Sequence, residues 1–524
     1  MTFKGDLLPF QPPAVSKMVD RKKLLVAYDL GLGKTVMTIA AIEKLMDRGD
    51  ISEPGIIVCL SSLKYQWASQ IKAWSDSTPI VIDGTPAQRQ VQYGRVKNWD
   101  TEGIDWVVMN YETVVRDLKT VQSLPCGFLV LDEATAIKNF KSQRTKAIKS
   151  LKKKTDVRFA LTGTPIENGK PEELFSIMEF VDHTLLGPFY LFDKSYIVRN
   201  DWGGVDRYRN LGVLHDKMRP AIVRKTQNDP DVAPHLPDTI FSPPILVPLS
   251  AKGQGLYQHM VGDLLEELGS LQEVYSTSYD LLEDGDDTRL MDAAKGAVMS
   301  KIVCMRMFCD HPQLLRLSAQ KASDPSVFGG SAYAKELLDL GLLETLPPAT
   351  KLDKLVAYVN EFLECDDRNK VVIFSVFVPM LDFISQSLGE DKCLIYSGKL
   401  DAKTKNQNKE RFNADPKIRV LVSSDAGGYG VDLPAANLLI NYDLPWSSGA
   451  ATQRNGRIRR ASSSWPSVVI QDFLVEGSIE ERQWLSLQHK NSVASAIVDG
   501  DGIDHKGGVP MTLGSLSKFL EGET

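Results

Sequence analysis

Short, wholly apolar runs alternate with segments of helical periodicity over the first quarter of the chain. The runs are LLVAY (Leu24 to Tyr28), IIVCL (Ile56 to Leu60), WVVMN (Trp106 to Asn110) and FLVLD (Phe128 to Asp132). Strands that are apolar on both faces and separated by helices predict a parallel sheet covered on both sides. The same grammar returns in VVIF (Val371 to Phe374), CLIY (Cys393 to Tyr396), VLVSS (Val420 to Ser424), LLINY (Leu438 to Tyr442) and VVIQDF (Val468 to Phe473). Two α/β lobes are therefore predicted, resembling two copies of one architecture, with no repeat of solenoid period. From about Pro171 to Leu346 the pattern is mostly helical, as in LYQHMVGDLLEELGSLQEVY (Leu256 to Tyr275). Nine acids and no Lys or Arg lie between Asp263 and Asp287, which reads as a solvated helix pair with a loop at EDGDD.

Length agrees with this division, because 524 residues exceed what one core supports. An apolar share of 43% with 24% charged residues, 38 Gly and 27 Pro excludes collagen-like, low-complexity and largely disordered chains. The formal charge of −6, taken alone, points away from a nucleic-acid partner. The amino terminus carries no apolar run of signal-peptide length, and the greasiest stretch, Val371 to Ile384, is short and broken by Pro379 and Asp382. A soluble, unsecreted protein without a membrane partner is expected. Six scattered Cys with no CxxC pair suit a reducing compartment. Cys304, Cys309 and His311 lie close together but lack a fourth ligand at suitable spacing, so no structural zinc is expected.

Three segments carry chemistry. LLVAYDLGLGKT (Leu24 to Thr35) reads as strand, glycine-rich turn and helix, a turn that aims backbone N–H groups at a triphosphate. Gly31 and Gly33 shape it, Lys34 would reach the β- and γ-phosphates, and Thr35 would bind Mg²⁺. Tyr28 stands where the strict phosphate-loop pattern has its first Gly. FLVLDEATAIKN (Phe128 to Asn139) ends a strand in adjacent carboxylates, with Asp132 assigned to the metal shell and Glu133 to the attacking water. QRNGRIRR (Gln453 to Arg460) holds four arginines in seven residues. It reads either as charge stabilisation for a transferring phosphoryl group or as a basic helix on DNA. Arg457 and Arg460 are the candidates for the nucleotide, with Arg454 and Arg459 facing elsewhere.

In order and spacing, these motifs resemble superfamily II nucleic-acid motors, and within them the Swi/Snf-type, helicase-like double-stranded DNA translocases. The resemblance covers about residues 5 to 490. LLPFQPPAV (Leu7 to Val15) is similar to the family's adenine-reading segment, which implies that Gln11 contacts the base. LTGTPIEN (Leu161 to Asn168) is similar to its coupling motif, which assigns coupling to Thr162, Gly163 and Thr164, together with Thr135 and Gln453. CLSSLKYQWASQIKAW (Cys59 to Trp74) and NYETV (Asn110 to Val114) resemble segments that hold the DNA backbone. The DNA-contact candidates are Ser61, Ser62 and Asn110 in the first lobe and Ser375, Ser397, Gly398 and Ser424 in the second. RPAIVRKTQNDPDVAPHLPDTI (Arg219 to Ile240) and MRMFCDHPQLL (Met305 to Leu315) resemble the family's inter-lobe basic stretch and Cys-x-His-Pro segment. KVVIFSVFVPMLDFI (Lys370 to Ile384) and SSDAGGYGVDL (Ser423 to Leu433) complete the set. The resemblance implies that Gly430 and Asp432 couple nucleotide to DNA and that Arg457 and Arg460 are arginine fingers.

The resemblance implies two RecA-like parallel-sheet lobes with helical insertions between them. Residues 1–230 are expected as the ATP-binding lobe, with a helical protrusion from about 171. Residues 231–495 are expected as the second lobe with an insertion at about 250–346, and 496–524 as a tail or short brace. It further implies a DNA-dependent ATPase with ATP and Mg²⁺ as cofactors and duplex DNA as partner, moving along the backbone without sequence readout. A strand-separating DNA or RNA helicase is the nearest rival, and a nucleic-acid scaffold with a degenerate ATP site a further one. Thr135 stands where relatives place His, and Asp425 where many have Arg or Lys. From Lys138 to Arg158 there are nine basic residues and one acid, which reads as a phosphate-binding stripe or as a solvated helix face. A small stand-alone motor suggests a monomer in a bacterial or viral-host cytoplasm rather than a nucleus, with a protein partner left open.

Overall fold

The structure is a computed structural model and describes residues 3–199, 205–274, 289–324, 326, 329–425, 431–460, 463–500 and 511–522. Gly430 and the EDGDD segment lie outside the described residues. The chain divides into two compact units. The first comprises Met1–Tyr196, Arg209–Leu236 and Ser492–Ile503, and the second Ile197–Tyr208, Pro237–Asn491 and Asp504–Thr524.

The first unit is built on a seven-stranded sheet. Its strands are β1 (Lys23–Tyr28), β2 (Gly55–Cys59), β3 (Pro79–Val81), β4 (Trp106–Asn110), β5 (Leu129–Asp132), β6 (Arg158–Leu161) and β7 (Ile222–Lys225). The order is β3-β4-β2-β5-β6-β1-β7, and every pairing is parallel. Leu24 to Tyr28 and Ile56 to Cys59 are buried on both faces, which is why they read as unbroken apolar runs. Each Leu, Val or Ile among them contributes about 1.5–3 kcal/mol over its exposed state. Three strands carry no such signal. β3 has three residues, β6 opens on Arg158, and β7 is the mixed run Ile-Val-Arg-Lys within the basic stretch.

The second unit carries another seven-stranded sheet. Its strands are β8 (Asp238–Phe241), β9 (Ile245–Val247), β10 (Val371–Phe374), β11 (Cys393–Tyr396), β12 (Val420–Ser423), β13 (Leu438–Asn441) and β14 (Ser467–Val475). The order is β8-β14-β13-β10-β12-β11, with β9 continuing the pairing along β14, again all parallel. Two such sheets are the pair of α/β lobes that the apolar runs announced. The helical insertion forms a core of its own, in which Tyr257, Met260, Leu264, Ile302, Met305 and Phe308 pack together.

The C-terminal residues do not form a separate tail. Met511 and Leu516, the latter in helix Leu513–Leu520, join the insertion core, and Ser492–Ile503 belongs to the first unit.

Inside the second unit a buried ion triad ties the insertion to the sheet. Lys351 Nζ lies 2.8 Å from Asp310 Oδ1 and 2.6 Å from Glu480 Oε1, and all three side chains are buried. The Tyr442 hydroxyl donates to the Asp310 carbonyl, and Glu480 accepts the Val475 N–H at 2.8 Å. Asp310 is the acid of the Met305 to Leu315 segment, so that segment's buried charge is matched within the fold. Its neighbour His311 accepts the Gln313 N–H at 3.1 Å through Nδ1 and thereby caps helix Pro312–Ser323. Lys351→Met would strand two buried carboxylates without a cation. It is expected to destabilise the fold by about 3–5 kcal/mol, read as a lower denaturant midpoint.

Candidate functional site

Three motifs meet at the C-terminal ends of adjacent strands of the first sheet. The glycine-rich turn follows β1, the Thr-Gly-Thr segment follows β6, and the acid pair closes β5, while the sheet order is β5-β6-β1. Strand ends of this kind are where ligands bind in open parallel sheets.

The turn is held from several directions. Gly31 and Gly33 both adopt φ of +80°, and Gly33 precedes helix Lys34–Asp47. A Cβ on Gly33 would lie 2.3 Å from Gln11 Nε2. Gln11 is buried; its Nε2 donates to the Leu32 carbonyl at 3.1 Å and its Oε1 accepts the Leu8 N–H at 2.9 Å. The amide expected to contact a base thus braces the turn in this structure. Lys34 Nζ donates to the carbonyls of Tyr28 at 2.7 Å and Asp29 at 3.1 Å.

Tyr28, which stands in place of the first Gly of the phosphate-loop pattern, and the adjacent Asp29 have structural partners. The Tyr28 hydroxyl donates to the Phe10 carbonyl at 3.2 Å, and burial, followed by Asp231 and Asp229, pushes its pKa up to about 12. Asp29 accepts from the Arg224 guanidinium at 2.6 Å and from the Gln227 N–H at 3.0 Å, while Gln227 Nε2 reaches the Leu30 carbonyl at 2.8 Å. Arg224 sits on β7 and Gln227 two residues beyond it, so the strand absent from the apolar pattern flanks the turn. On the other flank Gly163 packs against Leu30, where an added Cβ would approach Leu30 Cδ2 to 3.2 Å.

Asp132 and Glu133 are half-buried, and Glu133 adopts a left-handed backbone with φ of +55°. Such strain persists where surrounding contacts over-determine it. Asp132 Oδ2 accepts the Trp67 indole N–H at 2.7 Å, and Oδ1 accepts the Glu133 N–H at 3.0 Å. The Tyr111 hydroxyl donates to the Asp132 carbonyl at 2.9 Å. Glu133 Oε1 accepts two hydroxyls, Thr135 at 3.0 Å and Thr162 at 3.2 Å. Burial raises both carboxyl pKa values; for Glu133 the neighbouring Asp132 raises it further, and Lys34 opposes the rise in both. Thr135 is buried and makes, through Glu133, a link to the coupling segment. The Thr162 hydroxyl also accepts the Thr164 N–H at 3.1 Å.

The basic run beside this site is mostly committed to its own unit. Lys138 pairs with Glu167, Arg144 with Glu112 at 2.6 Å, and Lys149 and Lys152 with Glu179 at 2.7 and 3.3 Å. Lys154 Nζ donates to the Gln122 carbonyl at 2.7 Å. Arg158 is buried and donates to the carbonyls of Lys152, Thr155, Phe180 and Val181. Six of the nine cations therefore stitch helix Gln143–Leu151 and its flanks to neighbouring elements.

In the second unit, Arg454 unites the strand ends. Its guanidinium contacts Asp425 at 2.5 and 3.0 Å, the Asp443 carbonyl at 2.6 Å and the Asp443 carboxylate at 3.5 Å. Asp425 follows β12 and Asp443 follows β13, and Ser375, just after β10, donates its hydroxyl to Asp443 at 2.5 Å. This explains an acid at position 425, which balances a buried guanidinium. Of the DNA-contact candidates in this unit, Ser375, Ser397 and Ser424 are buried at strand ends. Ser61, Ser62 and Gly398 are exposed, and Asn110 accepts the Thr113 N–H at 2.8 Å as a helix cap. Arg460 pairs with Asp432 at 2.6 Å, and the Leu433 N–H bonds to the Arg457 carbonyl at 3.0 Å. Arg457, Arg460 and Gln453 are buried.

A nucleotide-type turn, an acid pair and a Thr-Gly-Thr segment on adjacent parallel strand ends, in one of two similar sheet-based units, define the helicase-like α/β class. The helicase domain of Pyrococcus furiosus Hef shares the fold, with a TM-score of 0.54 at 16% identity, covering 93% of this chain and 99% of that one. Residues 11–314 match the SNF2-related domain and residues 350–462 the helicase conserved C-terminal domain; the chain belongs to the SNF2-related family. The Bacillus subtilis protein YwqA is 24% identical over 505 residues, spanning 95% of this chain and 50% of YwqA. The DNA repair protein rhp54 of Schizosaccharomyces pombe is 26% identical over 505 residues, spanning 91% of this chain and 55% of its own length. The chain thus covers about half the length of these curated relatives. Among the described residues, no helix is long and apolar enough to cross a membrane.

Sequence reasoning did not single out Trp67, Tyr111, Arg224 or Gln227. The polar heads at 67 and 111 were hidden inside segments assigned to DNA, and those at 224 and 227 inside a stretch read only as basic. The Gly33 contact gives a direct check. Gly33→Ala is expected to cost the first unit about 1–3 kcal/mol through its positive φ and the clash with Gln11. The Gln11→Ala/Gly33→Ala double variant should lose less than the sum of the singles in denaturant unfolding.

Proposed function

We propose that this chain is a DNA-dependent ATPase that tracks along duplex DNA without reading its sequence. The observation that carries the ATPase reading is the meeting of Lys34, the acid pair and Thr162 on three adjacent strand ends, with Glu133 accepting both threonine hydroxyls. Family membership supports it, and the name of rhp54 supports DNA as the partner.

Mg²⁺ fits the site because the donors are hard oxygens. Each Asp132 carboxylate oxygen carries one N–H donor and keeps a lone pair, and Thr35 offers a hydroxyl in the first turn of its helix. When bound with ATP, the ion would neutralise charge on the phosphate oxygens. Lys34, which now occupies the turn's carbonyls, would exchange them for phosphate oxygens. Backbone N–H groups of Gly31 and Gly33 would face the same anion. Glu133 would orient the attacking water, its carboxylate aimed by Thr135 and Thr162. Arg457 and Arg460 would supply charge as phosphoryl transfer proceeds, Arg460 after leaving Asp432.

Thr164 Oγ1, Gln453 Oε1 and Arg460 Nε are buried without hydrogen bonds among the described residues. Buried polar atoms without partners call for an explanation, and a change of contacts during the cycle is the one proposed for these three. The exposed Ser61, Ser62 and Gly398 are the proposed backbone contacts.

ATP turnover measured with and without duplex DNA tests this reading. Lys34→Ala and Glu133→Gln are each expected to lower DNA-stimulated turnover by about 10²-fold or more; wild-type rates in either would sink the assignment. Displacement of a triplex third strand without melting of the duplex separates a translocase from a strand-separating helicase. Thr135→Val removes a hydrogen bond to a charged group worth about 1.5–3 kcal/mol. Its turnover should fall about tenfold or more, with Thr135→Ser close to wild type.

A further inference from the structure

We propose that Trp67 is a positioning residue for the metal-binding carboxylate, using its indole N–H to hold Asp132 in a single orientation. The inference rests on the nucleotide reading above. It adds a role for a residue in a segment that resemblance assigns to DNA.

Helix Lys64–Trp74 follows β2, which lies directly beside β5 in the sheet. Trp67 is buried at 2% exposure, and its ring packs within the first unit's core. An aromatic ring at that place needs no polar partner. Yet Nε1 points out of the core to Asp132 Oδ2 at 2.7 Å, a short, charge-assisted bond. The other oxygen is held by the Glu133 N–H at 3.0 Å, and the backbone carbonyl of Asp132 by Tyr111. The carboxylate is therefore fixed in its plane by one donor on each oxygen. Without the indole, Oδ2 would lose its fixed partner and the group would be free to turn about its Cβ–Cγ bond. Groups that orient a metal ligand in this way commonly govern metal affinity by 10- to 100-fold.

The alternative is that Trp67 serves only as core filler, and the two differ in one atom. The test is binding of a fluorescent ADP analogue to the full-length protein, in EDTA and in Mg²⁺, with Mn²⁺ affinity of the ADP complex followed by electron paramagnetic resonance. Trp67→Phe is expected to bind the analogue like wild type in EDTA. It should lose Mn²⁺ affinity by about tenfold or more. Should Trp67→Phe fail to fold, a benzothienyl side chain at position 67 keeps the ring's shape and replaces only the N–H by sulfur. The same loss is expected from it. In an Asp132→Asn background, Trp67→Phe should add no further loss of Mn²⁺ affinity.

Unchanged Mn²⁺ affinity in either replacement overturns the proposal while leaving the nucleotide site intact. A wild-type chain that binds no analogue, or a Lys34→Ala chain that binds it as well as wild type, overturns the nucleotide reading and this inference with it.

Discussion

Two adjacent carboxylates at the end of one buried strand set the terms for the first unit. Each is partly stripped of water, each repels the other, and burial pushes both toward the neutral form. The unit answers with partners brought from separate elements: Trp67 from the helix after β2, Thr162 from the end of β6, and the charge of Lys34 from the turn after β1, while Tyr111 after β4 holds the backbone carbonyl of Asp132. No short stretch of chain contains all of these groups. Only a sheet with β6 between β5 and β1, and β2 on the other side of β5, can deliver them together.

The second unit meets the same constraint at two places, each with one buried cation between two carboxylates. Arg454 is buried between Asp425 and Asp443, and Lys351 between Asp310 and Glu480. Buried ions of this kind add little net stability compared with apolar packing, but removing one partner is costly. They therefore specify which segments must lie together: the insertion against the sheet in one case, three strand ends in the other. The net charge of −6 hides this arrangement, because much of the charge on the chain is matched internally. The basic run after the acid pair shows the same thing, with Arg158 and five lysines or arginines satisfied within their own unit.

Much of the architecture was legible from local pattern. Strands buried on both faces must be apolar throughout, so Leu24 to Tyr28 or Val371 to Phe374 could hardly be anything else. β3, β6 and β7 escaped because they are short or carry charges, and a residue such as Arg158 looks solvent-facing until four carbonyls are found around it. The C-terminal residues escaped for a similar reason: the weak apolar pattern around Met511 and Leu516 acquires meaning only beside the insertion core.

The chain by itself determined the glycine-rich turn, the acid pair and the Thr-Gly-Thr segment, because each is a local conformation with local side-chain requirements. Which polar atom answers which could be settled only by the tertiary structure. Gln11 braces the turn, Thr135 meets Thr162 at Glu133, Asp425 meets Arg454, and Trp67 reaches Asp132 across residues far apart in sequence. Hydrogen bonds depend on distance and direction in space, and neither is written in the spacing of residues along a chain.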